Sequence, residues 1–296
     1  MNARICFRMP PARQPGDSLT LSQARAALYG WLYARHTGGA FAVRSLTGPA
    51  HELVEELRWL GLDWDEALEI VSAGDLAQLH EAGGAPTDVV LDRQMGVTHV
   101  FCEAGCAARE TTCAARETAA YRALGWAPPH YVALPPITNP DSLAPHEGTL
   151  AAYRARGYLP LALANHLARL GWAPRGRRAL LPMEELIARL ELDRISRRPV
   201  PLNLAQLNWF NRRALRALAP DEITALLLPR WQAAYGDRSS VQDGAKDWIA
   251  RAAAGSALSP DKWQQTLALV LREELDHLDQ AAERARFAFV DEVTYD

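Results

Sequence analysis

Short apolar strands alternate with helical stretches as far as Gly148, and beyond that point the strands stop. Residues 3–8 read as an apolar strand, residues 21–34 as a helix with an apolar stripe at Leu21, Ala24, Leu28 and Leu32, and residues 41–43 as a second strand. Strand, crossover helix and parallel strand form the repeating unit of an open parallel sheet. A helix over 49–60, whose LGLDW tail places a glycine near its end, a strand over 97–101, a helix over 107–124 and a strand over 131–134 continue the alternation. After Gly148 periodic apolar positions mark helices at 150–155, 160–170, 182–190, 203–218, 220–235, 244–254 and 260–288. Several of these begin with proline, which suits a first helical turn. The pattern predicts a doubly wound α/β body over residues 1–148 and an α-helical domain over residues 149–296.

A length of 296 residues fits about two domains, and 49% hydrophobic residues are enough for packed cores. No apolar run approaches the roughly 20 residues that span a bilayer, so no membrane partner is expected. The N-terminal MNARICFRMPPARQ has arginines but no apolar centre and does not read as a secretory signal. Four cysteines do not make a disulfide framework, and the expected compartment is the cytoplasm.

Charge divides the chain into three. Residues 1–150 carry 11 basic and 17 acidic side chains, residues 151–216 carry 13 and 4, and residues 217–296 carry 8 and 14. Clustered arginine is what phosphate contact requires, because each fixed charge releases condensed counterions and the planar fork grips two oxygens at once. This band marks Arg175, Arg177, Arg178, Arg194, Arg197, Arg198, Arg212 and Arg213 as candidate RNA contacts. A solvated helical surface is the other reading of the same run.

One heptad is duplicated: CAARETT at 106–112 returns as CAARETA at 113–119. Cys106 and Cys113 thereby share a helix face, with His99 and Cys102 on the strand before them. His99, Cys102, Cys106 and Cys113 are a candidate zinc set, although H-x2-C-x3-C-x6-C is not a standard spacing. The alternative is a repeat whose cysteines are buried as small apolar residues.

Several stretches then occur in a telling order: ARAALYGWLYARHTGG at 24–39, LRWLGLDWD at 57–65, MGVTHV at 95–100, YRALGWAP at 121–128, YRARGYLPLALANHLARLGWAP at 153–174, PMEELIARLELDRISRRPV at 182–200 and LNWFN at 207–211. Taken together, residues 1–216 resemble the catalytic half of a class I glutamyl-tRNA synthetase. The resemblance implies a Rossmann-like nucleotide-binding fold over 1–148 and a helical domain similar to the family's stem-contact region over 149–296. It also implies that the sequence ends about where an anticodon-binding domain begins.

Set against that family, the chain departs from the pattern where activation chemistry resides. The HIGH signature falls on LTLSQAR at 19–25, with Thr20 in place of histidine and Ser22 and Gln23 in place of glycines. Threonine can hydrogen-bond but brings no positive charge to developing phosphate charge, and side chains fill space that glycine leaves open. The KMSKS-type loop shrinks to SLAPHEG at 142–148, whose one basic candidate is His146. Only two lysines exist, Lys246 and Lys262, so none lies in the first 245 residues. Arg8 occupies the position of a family arginine and is a candidate carboxylate-binding residue, equally readable as a salt-bridge residue. Its family partners are absent: Arg44, Ser45 and Leu46 replace an acidic stretch, and Cys102 replaces an arginine. Only the twenty residues 66–85 stand where the family carries an inserted acceptor-end domain.

Three functional readings follow. The first is a paralogue without aminoacylation activity that binds tRNA, other structured RNA or a protein, with ATP not expected as a ligand and zinc the one candidate cofactor. The second is an enzyme whose nucleotide fold activates or transfers a different substrate. The third, glutamylation of queuosine in tRNA, needs intact HIGH and KMSKS-type signatures and is disfavoured. Loss of the inserted domain bares the carboxyl ends of the strands, so a homodimer, a protein partner or the cysteine-bearing helix is expected to cover them.

Overall fold

The computed structural model describes residues 3–10, 16–45, 51–66, 69–70, 87–103, 110–138, 148–176, 180–235, 249, 253 and 256–289. The chain divides into two compact units, one of Met1–Ala152 with Leu163–Asn203 and the other of Tyr153–Ala162 with Leu204–Asp296.

The first unit is built on five strands: β1 (Arg4–Arg8), β2 (Ala40–Ser45), β3 (Glu69–Ile70), β4 (His99–Glu103) and β5 (His130–Leu134). They lie in the order β3-β2-β1-β4-β5 and every pairing is parallel. This is a doubly wound Rossmann-like sheet, as the alternation predicts. The connections carry α1 (Leu21–Thr37), α2 (His51–Trp59), α3 (Thr87–Met95) and α4 (Glu110–Ala123). α3 was not marked by the sequence periodicity, because its nine residues hold only two buried apolar positions, Val89 and Leu91. β6 (Ile137–Thr138) and β7 (Val200–Pro201) form a small separate parallel pair.

α1 packs against β1 and β4, burying Leu21, Ala24, Ala27, Leu28 and Leu32. It ends at Gly38, whose φ of 61° is left-handed, and Gly39 follows with its α-carbon hard against the Ala3 carbonyl. Any side chain at Gly39 would overlap that oxygen, so the tight return from α1 into β2 depends on glycine. The other side of α1 carries a buried cation: Arg25 donates to the carbonyls of Leu170, at 3.1 Å, and of Pro135. Tyr29 donates to the Ala168 carbonyl at 2.7 Å. Backbone oxygens thus satisfy buried donors that water cannot reach.

After Gly148 come α5 (Leu150–Ala155), α6 (Pro160–Arg169), α7 (Met183–Arg189), α8 (Leu204–Ala217), α9 (Pro220–Tyr235) and α10 (Pro260–Leu271). In the second unit α8, α9 and α10 enclose an apolar core of Leu215, Ile223, Leu227, Trp231, Leu267 and Leu271. The single helix expected over 260–288 is instead interrupted after Leu271, and short turns follow: a 3-10 turn at Leu278–Gln280, α11 (Ala281–Arg284) and α12 (Arg286–Phe289). Tertiary hydrogen bonds divert the backbone there. Asn211 donates to the Asp276 carbonyl, Leu278 N–H to the Gly157 carbonyl and Asp279 N–H to the Arg156 carbonyl. The helix expected over 244–254 lies outside the described residues except for Ile249 and Ala253. Among the described residues no helix is long and apolar enough to cross a membrane.

Candidate functional site

The topological switch point of the sheet lies between β1 and β4, since the chain leaves β1 toward β2 and β3 and then returns on the other side at β4 and β5. An open α/β sheet leaves a crevice at the carboxyl ends of its strands at such a point. Arg8 is the last residue of β1 and pairs in register with Arg44 on β2. Extending the Ile5–His99 register three residues places Cys102 of β4 on its other side.

Five charged side chains meet there. Asp88 and Asp92 lie four apart on α3 and therefore on one helix face. Asp92 accepts from Arg8 Nη2 at 2.5 Å, and its other oxygen is 3.0 Å from Arg44 Nη1. Asp88 Oδ1 takes Arg44 Nη2 at 2.5 Å and lies 3.8 Å from Arg8 Nε. Glu117, on α4, accepts from Arg8 through both oxygens at 3.0 Å and from the Tyr131 hydroxyl at 2.8 Å. Side-chain exposure is nil at Arg44 and Asp92, 11% at Glu117, 21% at Arg8 and 30% at Asp88, so the cluster is dry at its Arg44–Asp92 centre and reaches water along its Asp88 and Arg8 side.

Electrostatics fix the charge states. Burial works against the Arg8 charge, but Asp92, Asp88 and Glu117 outweigh it and hold the guanidinium above its ordinary range. Burial also pushes Asp92 upward, and Arg8 and Arg44 pull against it. On balance burial prevails and the Asp92 carboxyl is held above the ordinary carboxylate range, although a guanidinium lies beside each of its oxygens. Burial and the bond to Glu117 push the Tyr131 hydroxyl upward, leaving it a hydrogen-bond donor.

The segment at 19–25, where the resemblance places a HIGH signature, caps a helix. Thr20 is the N-cap of α1: its hydroxyl accepts from Gln23 N–H at 3.2 Å, and Gln23 Oε1 accepts from Thr20 N–H at 2.9 Å. This reciprocal capping box is worth about 1 kcal/mol to the helix. Leu19 N–H is bonded to Glu56 at 2.8 Å, and Leu150 N–H to the Leu19 carbonyl at 2.8 Å. The residues that follow the expected KMSKS-type loop thus pair with the start of α1. Residues 142–147 of that loop, with His146, lie outside the described residues.

The expected zinc set is not brought together where it can be seen. Side chains alternate across a strand, so His99 and Cys102, three apart on β4, face opposite sides of the sheet. His99 turns toward α1, with Tyr33 hydroxyl 3.4 Å from Nε2, and its ring meets His130 at 5.5 Å. Cys102 occupies the Arg8 face. Cys106 and the side chain of Cys113 lie outside the described residues, and among the described residues no group of three metal-ligating side chains occurs. Burial and the neighbouring His130 hold His99 below the usual histidine value of 6.5. A histidine with a depressed folded pKa is protonated more readily in the unfolded chain, so the stability it permits is present above that value and lost as pH falls through it. His277, also depressed by burial, acts in the same direction. The His99→Gln variant is therefore expected to show a shallower fall in Tm between about pH 7 and pH 5; a fall as steep as the native one would contradict this.

The candidate RNA-contacting arginines differ in how committed they already are. Arg175 and Arg194 both approach Glu191, at 3.3 and 3.7 Å. Arg212 pairs with Asp276 at 2.7 Å, and Arg213 sits 4.9 Å over the Trp209 ring. Arg197 and Arg198 are exposed and form no ion pair among the described residues. Arg177 and Arg178 lie outside them.

Asp88, Asp92, Glu117 and Arg25 are site and core residues that sequence reasoning did not single out. The spacing of Asp88 and Asp92 and the heptad that carries Glu117 were the available signals.

A parallel 3-2-1-4-5 sheet and a separate helical unit make a Rossmann-like α/β protein of the kind class I synthetases share. The pattern described as tRNA synthetases class I (E and Q), catalytic domain, matches residues 86–209. A glutamate-tRNA ligase of Synechococcus sp. (strain JA-2-3B'a(2-13)) is 25% identical, covering 98% of this chain and 79% of the relative. Glutamate-tRNA ligase 2 of Rhodospirillum rubrum is 29% identical over 76% of this chain and 70% of its own. The crystal structure of a glutamate-tRNA synthetase from Elizabethkingia anophelis superposes with a TM-score of 0.70 at 18% identity, covering all of this chain and 83% of that one. The chain is thus similar to glutamate-tRNA ligases over most of its length and matches the synthetase catalytic-domain pattern over residues 86–209. The Synechococcus alignment spends 402 positions on about 290 residues of this chain, leaving about 112 internal positions of the relative without a counterpart.

Proposed function

We propose that this chain is a member of the glutamyl-tRNA synthetase family that does not activate glutamate, and that its body binds structured RNA, tRNA being the natural candidate within that family. One observation carries the reading: both terminal nitrogens of the arginine at the end of β1 already bond the chain's own carboxylates. Arg8 has Asp92 at 2.5 Å and both oxygens of Glu117 at 3.0 Å, so no free anion-binding group faces the crevice from β1. The HIGH-type position supports it, because Thr20 and Gln23 spend their polar atoms on one another.

Arg197 and Arg198 support the RNA half of the reading, being exposed cations with no acidic partner among the described residues. Binding through phosphate contacts positions a nucleic acid without reading its sequence. Affinity for a tRNA transcript is expected to fall steeply with salt, and Arg197→Gln with Arg198→Gln to reduce the slope of log K against log salt by about 2. Titrations of a labelled transcript over a salt series test this. Native-like slope in the double variant, or no binding at low salt, would contradict it.

The same reading includes a zinc ion on Cys102, Cys106 and Cys113, checked by metal content before and after Cys106→Ser. It also includes self-association or a partner beside residues 66–85, checked by light scattering. At Arg8, cover comes from α3 and α4 of the same chain.

A further inference from the structure

Glu117 meets Arg8 as a ligand would. Oε1 accepts from Nη1 and Oε2 from Nη2, each at 3.0 Å, the parallel fork by which arginine recognises a free carboxylate. The Tyr131 hydroxyl adds a third donor to Oε2 at 2.8 Å. The place is the one an α/β sheet reserves for ligands, the carboxyl end of β1 at the switch point.

The other carboxylates of the cluster are held differently. Asp92 and Asp88 are each shared with Arg44, at 3.0 and 2.5 Å, and both come from α3. Glu117 pairs with no other arginine among the described residues, and it arrives alone from α4. Without it, two arginines would face two aspartates and one fork would stand vacant. An incoming carboxylate would then restore the present charge count and the present hydrogen bonds.

We propose that this crevice is a carboxylate-binding site that the chain keeps filled with its own Glu117 as a tethered ligand, so that a free carboxylate enters only where Glu117 is withdrawn. The inference deepens the silent-crevice reading above and rests on it. Small mono- and dicarboxylates are the chemical class the fork accepts, and acetate and L-glutamate are the probes.

The test uses the full chain carrying Glu117→Ala. Thermal unfolding is followed in sodium acetate or sodium glutamate against sodium chloride at equal ionic strength, with the native protein alongside to correct for general salt effects. At about 0.2 M acetate the variant should gain on the order of 5 °C more than the native protein, saturably. Adding Arg8→Met should abolish that excess. If the variant is unfolded in chloride, the readout is recovery of its helical circular dichroism in acetate, again dependent on Arg8. Equal responses of variant and native protein, or no recovery in acetate, would overturn the proposal. Glutamate-dependent pyrophosphate exchange is measured on the same samples. Rescue with exchange at background supports both readings, rescue with exchange present overturns only the silent-site reading, and no rescue with exchange at background overturns only the tethered ligand.

Discussion

Replacing Asp92 with alanine is expected to destabilise the protein by about 3–5 kcal/mol, the usual cost of leaving a buried charge without its partner. Asp92 is fully buried and gives one oxygen to Arg8 at 2.5 Å and the other to Arg44 at 3.0 Å. Arg44 is itself fully buried and, among the described residues, keeps Asp88 as its one carboxylate in the variant. Alanine therefore removes the bridge between two guanidinium groups and leaves them facing each other in a dry site. Denaturant unfolding measures the loss, and the Arg44→Met/Asp92→Ala double variant should recover part of it, because removing both charges relieves the desolvation that removing one creates. A single-variant loss below about 1 kcal/mol would mean that water reaches the cluster and screens it.

Legibility from sequence followed the range of the interactions. Strand-helix alternation is local, and the helix at Pro220–Tyr235 was placed to the residue from its periodicity. Arg8 was recognisable by position, but its partners were not. Glu117 lies 109 residues away and Asp92 lies 84, and neither has a local pattern that says which strand end its helix will cross. The interrupted helix after Leu271 failed for the same reason, since Asn211, Gly157 and Arg156 draw the backbone aside from a stretch that is periodic by itself. Thr20 and Gln23 teach a different point. Read as a lost signature they were blanks, yet threonine followed three residues later by glutamine is a helix-start signal in its own right.

The second large effect concerns catalysis. A class I activation step needs positive charge and open backbone where phosphate charge develops, and each preorganised donor removed costs about 10²–10³ in rate. Here Thr20 stands where the family pattern has histidine, and no lysine occurs before Lys246. The one arginine at the crevice end of β1 is neutralised by Asp92 and Glu117. Those losses act on the same step, so no residual rate above background is expected. Amino-acid-dependent exchange of pyrophosphate into ATP tests the central claim most directly: we expect background exchange with glutamate and with every other amino acid, and exchange clearly above the no-enzyme rate with any of them would contradict the account.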